Sequence, residues 1–364
     1  MSTKTKQKVH NYSAGPCILP STVFEKASAA VLDLDGSGLS ILEISHRSKP
    51  FVAIMEKARA LVKELLDVPE GYSILFLGGG ASTGFFLVPM NYMKVGGKAA
   101  YTDTGTWASN AIKEAQGFGE VDVVASSADK DHTYIPKGHP IPSGVDYFHF
   151  TSNNTIYGTQ YKDLPTSSDG TPVICDMSSD IFSRPVNVAD FAMIYAGAQK
   201  NMGPAGTTLY IVKDELLGRT GRSLGNMMDL RNHIKKESMF NTPPVYPVYV
   251  SMLTLEWMKE QGGVKAMQER SEARAGLLYG AIDELPLFEG TTAREDRSSM
   301  NATFRLTNTA LEETFDAAWK EAGISGLRGH RSVGGYRASM YNALPLESVQ
   351  VLVDVMHEFA KKNG

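Results

Sequence analysis

The chain has 364 residues, 42% hydrophobic and 21% charged, with a formal net charge of −4, which predicts a soluble globular protein of two domains. A net negative balance argues against nucleic acid or an anionic membrane as partner, and no stretch reaches the ~18 uninterrupted apolar residues of a membrane span. With only Cys17 and Cys175 there is no disulfide framework and no cysteine metal site, so a metal-free protein of the reducing cytoplasm is expected, and the polar N-terminus lacks a signal peptide's apolar core.

In chain order, SAGPCILPSTVFEKASAAVLDL reads as a turn and then a helix capped by Ser21. The loop GSGLSILEISHRSKP sets His46 and Arg47 ahead of an amphipathic helix from about Pro50 to Leu66. YSILFLGGGASTGFFLVPMNYM gives a buried strand, a glycine turn and an apolar helix, and KAAYTDTGTWASNAIKEAQ repeats strand, polar turn and helix. VDVVASS, DYFHFTS and TPVICD are further strands, the last ending in Asp176. Phe191 to Tyr195 reads as another buried strand, leading through Ala196, Gly197 and Ala198 to Lys200 and a turn of Gly203, Pro204 and Gly206. TTLYIVKD follows too closely for a crossover connection and is predicted to pair antiparallel.

From about Tyr246 the texture changes. A long helical stretch breaks at Gly262-Gly263 and leads to a smaller unit, in which SSMNATFRL and YRASMYNAL read as strands and EETFDAAWKEAG and ESVQVLVDVMHEFAKKNG as helices. The fold class is therefore α/β, a largely parallel sheet with polar residues gathered at its strand C-termini, plus a smaller α+β C-terminal domain. The expected division is 1–15 as an N-terminal segment packing with the small domain, 16–262 as the large domain and 263–364 as the small one.

Four features carry chemistry. Lys200 follows a core strand, where desolvation or a cationic neighbour turns a lysine into a nucleophile. The turn Gly78-Gly79-Gly80-Ala81-Ser82-Thr83 enters a helix, where backbone N–H groups receive an anion. Trp107 stands at a strand end, suited to stacking on a flat ring, and Asp176 ends a strand placed to lie beside that of Lys200. Each also has an ordinary structural reading: a surface lysine, a tight turn, a core indole, a salt bridge. Pyridoxal phosphate would use all four at once, as Schiff-base lysine, phosphate site, ring stack and partner of the pyridine nitrogen.

Taken together, NYSAGPCILP, LSILEISHRSKPF, FLGGGASTGFF, DTGTWA, AGAQKNMGPAG and GHRSVGGYRASMYNALP resemble the phosphoserine aminotransferase family, class V aminotransferases of fold type I. The likeness runs from about Asn11 to beyond Leu346. It implies a three-layer αβα domain with a mixed, mostly parallel sheet binding pyridoxal 5'-phosphate. It makes Lys200 the covalent anchor and proton carrier, with Gln199 beside it on the cofactor phosphate. It further places Ala81 and Ser82 on that phosphate, Trp107 on the ring, Thr155 at the cofactor hydroxyl and Asp176 at the ring nitrogen. Asn241 and Thr242 resemble the pair that reaches the cofactor of the neighbouring subunit, implying a homodimer with shared sites.

His46, Arg47, His330, Arg331 and Arg337 stand at the family's substrate-contacting positions, fitting the anionic groups of phosphoserine, glutamate and their keto acids. One departure bears on them: some members carry an arginine in the glycine turn where this chain has Ala81-Ser82-Thr83. The implied reaction moves an amino group from glutamate to 3-phosphohydroxypyruvate; use of the phosphorylated hydroxythreonine of vitamin B6 synthesis stays open. The alternatives are another fold-type I enzyme acting on a small amino acid, which would not need the basic set, and a non-catalytic relative, which would not need both Lys200 and Asp176.

Overall fold

The computed structural model describes residues 9–364; the expectation for segment 1–15 falls partly on residues 1–8, which lie outside the described residues. The chain opens with β1 (His10–Asn11), α1 (Ser21–Leu32) and α2 (Lys49–Leu65). Ser21 is the first helical residue rather than the cap: Pro20 holds the cap position and no side chain bonds the free amides. Then come β2 (Tyr72–Leu77), α3 (Gly80–Tyr92), β3 (Lys98–Asp103), α4 (Thr106–Gln116) and β4 (Glu120–Ser126). They are followed by β5 (Phe148–Thr151), the short pair β6 (Asn153–Asn154) and β7 (Thr159–Gln160), and β8 (Val173–Asp176).

Next are β9 (Met193–Gly197), the one-turn α5 (Ala198–Asn201), β10 (Thr208–Lys213), α6 (Leu230–Lys235) and α7 (Val245–Glu260). β9 starts two residues later than the sequence suggests because the amide of Phe191 bonds back to Val188 in a tight turn. It then runs on through Ala196 and Gly197, so Lys200 sits directly in the turn at its C-terminal end.

These strands form one seven-stranded sheet in the order β2-β10-β9-β8-β5-β3-β4. β10 is antiparallel to both its neighbours and every other pairing is parallel. Side chains alternate across the sheet with a period of two, and the alternation sorts them into two cores. Ile74, Cys175, Ile194, Ala196 and Ile211 meet α1, α2 and α7 on one face. Leu75, Ile174, Tyr195 and Tyr210 meet α3, α4 and α6 on the other. The result is a three-layer αβα arrangement.

Helix α3 lies hard against β9 because Gly84 has no side chain: a Cβ there would stand 2.7 Å from the Tyr195 ring. Gly84→Ala is expected to destabilise the protein by about 1–3 kcal/mol in urea unfolding. An unchanged midpoint would show that α3 slides off the ring freely.

The chain continues with α8 (Gly263–Glu284), β11 (Phe288–Gly290), β12 (Asn301–Leu306), α9 (Glu312–Glu321), β13 (Ile324–Ser325), β14 (Tyr336–Ser339) and α10 (Leu346–Asn363). β11-β12-β14 make a small antiparallel sheet, packed by Leu278, Phe315 and Val349 from its three helices. β14 is shorter than YRASMYNAL suggests, ending at Ser339, and Pro345 then caps α10. At the other end of the chain β1 pairs in parallel with β13, and Tyr12 is buried in this C-terminal core.

Candidate active site

Parallel strands bring their C-termini to one sheet edge, and that edge collects the polar residues. Asp176 at the end of β8 pairs in register with Tyr195 of β9, and α5 then turns Lys200 back toward the edge. The Lys200 amine donates to Thr155 Oγ1 at 2.8 Å and to Ser179 Oγ at 3.0 Å. It lies 5.7 Å from the centroid of the Trp107 ring. Burial lowers its pKa from the usual lysine range to about 8; Asp176 and Asp180 hold it up, and Arg337 pushes it further down. A lysine tuned this way gives up and takes back a proton near neutral pH.

Asp176 is buried, 4% exposed. Burial raises its pKa, while Lys200 and Ser178 stabilise the charged form. The Ser178 amide and hydroxyl both donate to Oδ1, at 2.9 and 2.6 Å. Among the described residues these are the hydrogen bonds the carboxylate receives, which leaves Oδ2 for a further donor.

The glycine turn leads from β2 into α3. Gly79 and Gly80 take left-handed conformations, φ 104° and 71°, which L side chains adopt only under strain. They deliver the chain into α3 with no side-chain cap on its first amides. Ala81 and Ser82 lie in that first turn. Gln199 packs around Gly15 and Gly197, and its carbonyl accepts from the Cys17 amide at 3.1 Å.

Of the basic set, Arg337 is brought to the lysine. Its Nη1 reaches the Thr155 carbonyl at 3.5 Å, while its Nε is buried without a hydrogen-bond partner. The His330 pKa is lowered by partial burial and by the nearby charges of Arg337 and Arg331, which favours its neutral form beside the two guanidinium groups. His46 has a buried, unpartnered Nε2 and Arg47 is exposed. Within the described residues no hydrogen bond or ion pair joins either to Lys200, Asp176 or Arg337. Asn241 and Thr242 are exposed and line a cavity of about 260 Å³ with Phe76, Leu77 and Gly78, without touching Lys200.

Sequence reasoning missed Ser178 and Ser179, which hold the carboxylate and the amine. The signal was present in Asp176-Met-Ser-Ser: small hydroxyl residues just after a strand-end aspartate bond back to it in a local turn.

The fold and site define a class: an α/β scaffold of fold type I with a partly desolvated lysine at the end of a central strand, faced by a buried carboxylate. The chain belongs to the aminotransferase class-V family, whose model matches residues 9–352. The phosphoserine aminotransferase of Flavobacterium psychrophilum is 64% identical over 356 residues, 98% of this chain and 99% of that protein. The solved phosphoserine aminotransferase of Bacillus circulans subsp. alkalophilus superposes with a TM-score of 0.95 at 42% identity, covering 98% of this chain and 99% of the other. That of Trichomonas vaginalis, solved with PLP bound, has a TM-score of 0.91 at 33% identity over 96% and 100% of the two chains.

Proposed function

We propose that this protein is a phosphoserine transaminase: it moves the amino group of glutamate to 3-phosphohydroxypyruvate, giving O-phospho-L-serine and 2-oxoglutarate, with pyridoxal 5'-phosphate held at Lys200. The observation that carries the reading is the Lys200 amine set over the Trp107 ring with a buried carboxylate beside it. The residues present fit the cofactor. Asp176 keeps one carboxylate oxygen unclaimed for a ring N–H, and the uncapped start of α3 offers amides to a phosphate. Trp107 has a ring face turned to the site.

When bound, pyridoxal phosphate supplies a carbonyl carbon for the amino group and a protonated ring that withdraws electrons. Everything else falls to the chain. Lys200 anchors the cofactor and, once its amine is free, takes the proton from the substrate α-carbon and returns it. Asp176 keeps the ring nitrogen protonated by charge. Thr155 faces the cofactor hydroxyl, and Ala81, Ser82 and Gln199 hold its phosphate. Arg337, His330, Arg331, His46 and Arg47 bind the carboxylates and phosphate of substrate.

Asn241 and Thr242, exposed in the single chain, reach the cofactor of a second copy in a homodimer. Residues 16–262 form the cofactor domain and 263–364 the small domain, with 1–15 packed on the latter. Within the described residues no helix is long and apolar enough to cross a membrane; we place the protein in the cytoplasm, acting on small molecules and not on nucleic acid.

A titration of the cofactor-loaded protein tests this. Phosphoserine is expected to bleach the absorbance of the lysine-bound cofactor at concentrations at least about a hundredfold below those of serine, since a phosphate adds several charge-assisted hydrogen bonds. Equal responses would remove the substrate assignment, and no response to either phosphoserine or glutamate would remove the activity.

A further inference from the structure

We propose that the cavity beside Arg274 is a binding site for a small organic carboxylate of single negative charge, held two-pronged by the guanidinium edge that this arginine keeps free. Arg274 lies midway along α8 and is 2% exposed. It lines a cavity of about 510 Å³ with Trp257, Glu269, Arg270, Leu344 and Glu347. None of the residues placed around Lys200 takes part, so this is a separate site, and it does not depend on the transaminase reading.

The chemistry of the ligand follows from counting donors. A guanidinium has five N–H groups. Nη1 gives its two to the carbonyls of Asn342 and Leu344, at 3.3 and 2.8 Å. Nε and Nη2 are buried without a hydrogen-bond partner, which leaves the other N–H groups unmatched. These two nitrogens share one edge of the guanidinium plane, and their parallel N–H bonds have the spacing of two carboxylate oxygens. Burying a charge is expensive unless an opposite charge meets it. Among the described residues no carboxylate pairs with Arg274, and the charge acting on it is a second cation, Arg270. Burial and then Arg270 lower its pKa to about 10, so it stays charged at neutral pH. A water molecule would meet the free N–H groups but leave that charge unbalanced.

The lining selects among oxyanions. Trp257, Leu344, Pro345 and Leu346 offer an apolar wall, which an organic body covers and a bare inorganic ion does not. Glu269 and Glu347 line the same cavity and oppose a second negative charge. Arg270 is exposed there and helps to draw in the first.

The test is saturation-transfer NMR of benzoate with the full chain loaded with cofactor. A Kd below about 1 mM is expected, since two charge-assisted hydrogen bonds add to the covered ring. Arg274→Met is expected to weaken binding at least about tenfold, whereas Arg337→Met, at the Lys200 site, is expected to leave it in place. Cyclohexanecarboxylate is expected to displace benzoate, and inorganic phosphate at the same concentration is not. Leu346 opens α10 and is 45% exposed, so Leu346→Glu adds a carboxylate at the cavity without disturbing a core. It is expected to weaken benzoate about threefold.

Circular dichroism establishes that each variant is folded; if Arg274→Met is not, Leu346→Glu decides. No binding below about 10 mM, or a Kd unchanged in the deciding variant, overturns the proposal. Displacement by phosphate but not by cyclohexanecarboxylate overturns the assignment to an organic carboxylate. Binding lost in Arg337→Met and kept in the deciding variant places the ligand at Lys200 and overturns the separate site.

Discussion

Lys200→Ala is expected to lower transamination at least about a thousandfold while leaving the fold intact. The side chain makes two hydrogen bonds, to Thr155 and Ser179, and those two hydroxyls keep each other as partners when it is removed. What disappears is the amine that burial, Asp176, Asp180 and Arg337 jointly tune to a pKa of about 8. General acid–base work alone contributes about 10²–10⁴-fold, and the covalent anchor is lost as well. Cofactor binding weakens but persists through the phosphate site and the ring stack. Single-turnover absorbance after loading with phosphoserine measures the loss, and a small added amine should return part of it. A rate near that of the native protein would remove Lys200 from its role.

Asp176→Asn is expected to slow the same single turnover by about 10²–10³-fold, a loss typical of removing one electrostatic group aimed at developing charge. The exchange is nearly isosteric. Ser178 donates both its amide and its hydroxyl to Oδ1, and an asparagine oxygen accepts them equally well. The other position becomes an NH₂ group, which cannot accept a ring proton or balance a positive ring. The substitution also removes the first of the charges that hold the lysine protonated. The pH midpoint for acetylation of the Lys200 amine should therefore fall below that of the native protein. An unchanged turnover rate with an unchanged midpoint would show that the carboxylate acts on neither group.

Lys200 and Asp176 are both legible in the sequence. A charged residue at the end of an apolar run has to be explained, and Val173-Ile-Cys-Asp176 and the stretch from Phe191 to Lys200 each pose that question. The glycine turn is legible for a similar reason, since Gly79 and Gly80 answer to a backbone shape that other residues strain to adopt. The antiparallel β10 follows from the shortness of its connection. Ser21 misleads because a serine before an apolar run usually caps a helix, whereas the preceding proline holds that place here.

What the sequence by itself determined is thus local: strand periods, turn residues, the order of the α/β units and the family motifs that ride on them. Only the tertiary structure decided which hydroxyls meet the lysine. Thr155 and Ser179 come from two separate segments and meet one amine. It also decided that Arg337, far along the chain, pushes the pKa of that amine down, while neither His46 nor Arg47 is among the charges that shift it. The physical reason is that burial and Coulomb interactions depend on distance in space, and local residue patterns carry no record of distance between segments that the fold alone brings together.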